Sequence, residues 1–107
     1  MRPRKLDPYY DDVLVMMFNK VKGDLEGRSN QFQVASKLIS YFPDFYFSRH
    51  ITSFEEEKRQ QAFWASVESY FELDYGDVQG VAYYLGQATP AAVVQMIKRI
   101  RFRYKTQ

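Results

Sequence analysis

Val81-Ala-Tyr-Tyr-Leu-Gly-Gln-Ala-Thr-Pro-Ala-Ala-Val-Val-Gln-Met-Ile-Lys-Arg-Ile-Arg101 contains two helical patterns separated by a turn. Asp77 can cap the first, a short helix from Val78 to Leu85 in which Val78, Val81, Ala82 and Leu85 follow the i, i+3, i+4, i+7 spacing of a buried stripe. Gly86 is then expected as a left-handed stop. Thr89-Pro90 starts the second helix, with threonine as cap and proline at the first helical position. Val93, Ile97, Ile100 and Tyr104 lie on one face of that helix, which runs close to the C-terminus. Gly80 interrupts the shorter helix at a place where close packing would use it.

Working back toward the N-terminus, the chain reads as helix after helix. Ser53-Phe-Glu-Glu56 is a capping-box signature. The helix behind it runs to about Phe71 and buries Phe63, Trp64, Val67, Tyr70 and Phe71, its earlier turns being polar apart from Phe54. Residues 43 to 52 are the least regular segment and read as a loop pinned across the core by Phe45, Tyr46 and Phe47. A helix from about Ser29 or Asn30 to Phe42 buries Phe32, Ala35, Leu38, Ile39 and Phe42, and Pro43 ends it. The first helix follows Asp7-Pro8, buries Tyr10, Val13, Leu14, Met17 and Val21, and stops at Gly23. No segment alternates strictly enough to require a sheet. The expected class is all-α: a compact bundle of about five helices, the last three arranged as a helix-turn-helix-like unit.

Composition bounds the rest. A chain of 107 residues makes one domain with one core. Aromatic residues form 18% of it, which excludes a disordered tail. A mean hydropathy of −0.48, with no apolar run near membrane length, excludes a transmembrane helix. The absence of cysteine excludes disulfides, thiolate zinc sites and iron–sulfur clusters, and points to an intracellular protein, cytoplasmic or nuclear rather than secreted.

The net charge of +2 conceals segregation. Lys98, Arg99, Arg101, Arg103 and Lys105 close the last helix with no acid among them, and Arg2, Arg4 and Lys5 form a basic N-terminal arm over residues 1–7. Glu55, Glu56, Glu57, Glu68, Glu72, Asp74 and Asp77 make the middle acidic. On a helical wheel at about 100° per residue, Phe102 falls opposite the buried face of the last helix, exposed among cations.

Roughly residues 54–104, within the helix-turn-helix-like half 54–105, resemble a Myb/SANT-type helix-turn-helix domain. The likeness rests on Trp64 in a helix that opens with acids, on Leu85-Gly86 before Thr89-Pro90, and on Val93. It implies a three-helix half-domain that binds either DNA or proteins. In place of the arginine common in that family before the turn threonine, this chain has Ala88.

Enzyme chemistry has little to stand on. His50 is the only histidine, and with no cysteine a nitrogen- or sulfur-ligated metal lacks ligands. Glu55-Glu56-Glu57 and Asp11-Asp12 are consecutive on helices, so they point apart rather than pairing. No phosphate-cradling glycine loop follows a strand. A non-enzymatic protein without cofactor or metal is expected, and two readings of it stand open. In the first, Lys98, Arg99, Arg101, Arg103 and Lys105, supported by Arg2, Arg4 and Lys5, contact the phosphate backbone of nucleic acid, duplex DNA before RNA, and the protein serves transcription or chromatin. In the second, the exposed aromatics Phe102, Phe45, Tyr46 and Phe47 engage a protein partner, an acidic one or another copy of the chain, with no membrane involved.

Overall fold

The computed structural model describes residues 6–42 and 54–105. They form a one-turn 3-10 helix, Pro8–Tyr10, followed by five α-helices: α1 (Asp11–Asp24), α2 (Gln31–Ser40), α3 (Phe54–Phe71), α4 (Tyr75–Leu85) and α5 (Pro90–Lys105). There is no strand among the described residues, and the fold is all-α.

Local chemistry sets most helix starts. The Asp7 carboxylate accepts the Tyr9 amide at 2.9 Å, and Pro8 begins the 3-10 turn. Asn30 and Gln33 form a reciprocal capping box at α2, with contacts of 2.8 and 3.0 Å. Thr89 Oγ1 accepts the Ala92 amide at 3.1 Å. Asp77, expected as the cap of α4, lies instead inside its first turn; the N-cap is Asp74, acting through its backbone.

Helix ends depart further from expectation. Gly23 lies inside α1, which stops through a paired turn: the Gly27 amide reaches the Lys22 carbonyl at 3.1 Å and the Glu26 amide the Gly23 carbonyl at 2.9 Å. The left-handed residues there are Glu26 (φ 58°) and Gly27 (φ 67°), and at the end of α3 it is Glu72 (φ 56°). Gly86 is right-handed (φ −64°), and the turn from α4 to α5 continues on short-range bonds of Gln87 to Tyr84 and Ala88 to Leu85. The Tyr84 hydroxyl donates to the Ala92 carbonyl at 3.2 Å, fastening α4 to the start of α5 across that turn.

One core serves both halves of the chain. Leu14, Met17, Phe18 and Val21 of α1 meet Val34, Ala35 and Leu38 of α2, Val78, Val81, Ala82 and Leu85 of α4, and Val93, Ile97 and Ile100 of α5. The hub is α1, which packs against α2, α4 and α5. The most extensive helix pair is α2 with α5, so the last helix is covered by the first half of the sequence rather than chiefly by its neighbour α4. Phe18 and Val34, which the spacing argument passes over, are buried; Phe32, expected inside, is exposed.

Aromatics fill the seam between α2, α3 and α4. Phe42 stacks on Phe71 (6.3 Å between centroids) and meets the edge of Phe63; Phe63 contacts Trp64, and Trp64 contacts Tyr75 at 5.3 Å. Tyr70 packs on Tyr41 at 5.2 Å and donates its hydroxyl to Asp24, tying the ends of α1, α2 and α3 together. Burial, then that bond, hold the Tyr70 phenol above the usual tyrosine range. Much of the aromatic share is thus used inside the molecule.

Gly80 of α4 is where the N-terminal turn lies down. A Cβ added there would fall within the tip of the Tyr10 ring. Gly80→Ala gains about 1 kcal/mol of helix propensity but overpacks the ring, at about 1–3 kcal/mol, so a net loss is expected in thermal denaturation. In a Tyr10→Ala background the same change should become stabilising; an unchanged sign would show that the ring is not the obstacle. At the left-handed Glu72, Glu72→Gly should instead raise stability by up to about 1 kcal/mol, measured as the urea midpoint, by relieving the Cβ–carbonyl clash.

Candidate functional site

The buried stripes of α1 and α5 decide what their outer flanks present. With Leu14, Met17, Phe18 and Val21 turned inward, Asp12, Val15 and Met16 line one side of the α1–α5 seam. With Val93, Ile97 and Ile100 turned inward, Lys98, Arg101, Phe102 and Tyr104 line the other, above Ile100. Together they bound an open groove of about 880 Å³. Phe102 is 68% exposed, Met16 54% and Tyr104 51%. Three large exposed side chains thus line one groove, and apolar exposure gathered in one place marks binding surfaces. Phe102 stands where the helical wheel puts it. Tyr104 does not: the core stripe ends at Ile100, and the last turn runs beyond the layer that covers it.

The cations of α5 stand in different surroundings. The Arg103 guanidinium meets the Asp11 carboxylate at 3.0 Å, joining the last turn of α5 to the first of α1. The Arg101 guanidinium donates to Asn19 Oδ1 at 3.3 Å and lies 5.8 Å from the centre of the Phe18 ring. Arg101 is therefore half-buried on the groove wall. Lys98 stands exposed on the rim, and Arg99 is exposed on a flank near Tyr84, whose phenol burial pushes above its usual range while Arg99 pulls it back. Of the eight cations expected at a phosphate surface, Arg103 thus serves an internal ion pair and Arg101 an internal hydrogen bond. Lys105 closes α5, and Arg2, Arg4 and Lys5 lie outside the described residues. Phe45, Tyr46, Phe47, His50 and the Ser53 cap also lie outside them.

Asp11 went unnoticed as a site residue because its partner is at the far end of the chain. It is the one buried charged side chain among the described residues. Burial raises its carboxyl pKa, and the opposing pull of Arg103 is the smaller effect. Desolvation, then the negative charge of the neighbouring Asp12, hold the Tyr104 phenol above the usual tyrosine range. Among the described residues no cluster of three or more acids, histidines or cysteines could hold a metal, and no helix is long and apolar enough to cross a membrane.

A carboxylate whose folded pKa lies above its unfolded value, near 3.8, gives up stability as it ionises: the contribution is complete below the unfolded pKa and is lost as pH rises through the folded one. Asp11→Asn holds the site in its neutral form. The stability of the variant relative to wild type should therefore increase as pH rises from about 3 to 7, read as the difference in urea midpoints. A difference that is flat or falls with pH would mean that Arg103 outweighs burial.

Comparison with models of known protein families, with curated proteins and with solved structures finds no match for this chain.

Proposed function

We propose that this protein is a non-enzymatic helical interaction module whose α1–α5 groove receives an amphipathic segment of a protein partner, apolar on the face it inserts and acidic at the margin. The observation that carries this reading is the composition of the groove: Val15, Met16, Phe102 and Tyr104 supply an apolar bed over the buried Ile100, Lys98 stands exposed at its edge with Arg101 half-buried on the same wall, and Asp12 lies on the α1 side. A helix laid in such a groove buries its i, i+3, i+4 and i+7 anchors while the rim cations select its charge. An interface confined to this groove falls below the ~1,200 Å² of standard complexes, so affinity in about the micromolar to millimolar range fits a transient partner.

Lys98 and Arg99, adjacent and exposed on α5, favour a second reading in which that helix meets a nucleic-acid backbone. It is the weaker of the two. Arg103 is engaged by Asp11 and Arg101 by Asn19, which divides the cations a phosphate backbone would need together, whereas the docking reading rests on the apolar bed and asks only Lys98 of the rim.

A designed helical peptide of about 15 residues, with Leu at i, i+3, i+4 and i+7 and Glu elsewhere, tests the proposal by amide chemical-shift titration. Shifts at Val15, Met16, Phe102 and their neighbours are expected, weakened by salt and by a Lys-for-Glu version of the peptide. Met16→Glu should lower affinity at least about tenfold. Absence of groove shifts at millimolar peptide would overturn the docking reading. Shifts confined to Lys98 and Arg99 on adding duplex DNA at low salt would put the nucleic-acid reading in its place.

A further inference from the structure

The core holds α5 only as far as Ile100. Ile100 is buried, Arg101 is half-buried, and Phe102, Arg103 and Tyr104 are exposed. The carbonyl groups of a last turn have no partner further along the helix, and such a turn frays unless something outside it holds it. Yet this turn supplies the groove with Phe102 and Tyr104. From α1, Asp11 reaches it. The Asp11 side chain is only 5% exposed, and its Oδ2 accepts from the Arg103 guanidinium at 3.0 Å. The pair joins the first turn of α1 to the last turn of α5, each charge lying at the helix end whose dipole favours it.

The surroundings of this carboxylate pull in two directions. Among the described residues, the charged groups that bear on Asp11 are Arg103 from α5, Asp12 beside it on α1 and Asp7 from the turn before it. The Tyr104 phenol of α5 lies in the field of both Asp11 and Asp12. Desolvation, the largest effect, and the two acids disfavour the ionised form, and Arg103 favours it. Ionised Asp11 therefore weakens the fold as a whole while it serves one turn locally. We propose that Asp11 is a positioning residue for the groove: its ionised carboxylate, through Arg103, holds the last turn of α5 against α1, and its protonation loosens the wall that Phe102 and Tyr104 provide. Binding at the groove is then linked to a proton, and is stronger above the range in which Asp11 ionises. The latch stands on the ion pair; its bearing on a partner rests on the docking reading.

Amide hydrogen exchange in the last turn of α5 tests the latch, read by NMR as protection factors so that the intrinsic pH dependence of exchange is removed. In wild type, protection of the Phe102 to Lys105 amides should rise about two- to fivefold between about pH 3 and 7, the change that a half-exposed ion pair supports. In Asp11→Asn it should stay low and flat. Relative to wild type, this variant should thus lose last-turn protection over the range in which its urea midpoint gains; a merely structural role would move the two together. Arg103→Gln should give the same low, flat protection, and Arg103→Lys should restore part of the rise. Last-turn protection that follows the urea midpoint in sign, or that does not change with pH in wild type, overturns the inference. So does a pH dependence that survives Asp11→Asn, which would place the effect on Asp12. At pH 7 the affinity of Asp11→Asn for the Leu/Glu peptide should be lower by the same two- to fivefold. An unchanged affinity beside a loosened turn overturns the control of the groove and leaves the docking reading standing. A peptide that binds neither protein removes the docking reading, while the exchange result still decides the latch.

Discussion

Val93, Ile97 and Ile100 form a stripe that has to be covered, and the cover is supplied by α2 and α1 from the opposite end of the chain. Burying side chains of this size is worth about 1.5–3 kcal/mol each before chain entropy is charged against it. An ion pair with one partner buried does not compete with that. The Arg103–Asp11 pair, whose guanidinium is half in water, contributes at most about 1 kcal/mol, and burial of the carboxylate works against it. The ion pair is therefore a consequence of where α5 lies and does not put it there.

The same packing determines the surface. Once α5 is seated on α1 and α2, its flank beside α1 closes one wall of the groove, with Phe102 and Met16 facing solvent across it. The seating also brings Arg101 within reach of Asn19 and Arg103 within reach of Asp11, so a run of charge that is uniform in sequence becomes divided in space. Rim charges of this kind act on encounter rate and partner choice more than on affinity, while the apolar bed supplies the contact area. The nucleic-acid reading needs the cations to act together; the protein-docking reading needs only that Lys98 stand at the edge.

α4, the turn and α5 are neighbours in sequence, and Tyr84 bridges to Ala92 across the turn. What holds α5 is nevertheless the first half of the chain, and a single core spans both. Phe32 and Tyr104 show the limit of the wheel. Each lies near an apolar stripe, but one sits in a first turn and the other in a last, past the point where a neighbouring helix covers that face. The acidic arm of α3 shows the opposite case. Its lack of apolar residues between Glu55 and Gln61 was plain from spacing, and accordingly no residue from Phe54 to Ala62 is buried.

By itself the sequence determined five helices, most of their buried faces, the caps at Asp7 and Thr89, and the outward placing of Phe102. Those features depend on residues within a turn or two of one another: an N-cap reaches two or three residues ahead, and an apolar stripe repeats every three or four. Only the tertiary structure decided that α1 is the hub, that left-handed turns fall on Glu26, Gly27 and Glu72 rather than on Gly23 and Gly86, and that Gly80 receives the ring of Tyr10. It also decided which cations remain at the surface, since Arg101 finds its partner 82 residues away. Contacts over that separation depend on how whole helices cross, and no pattern within a single helix records the crossing.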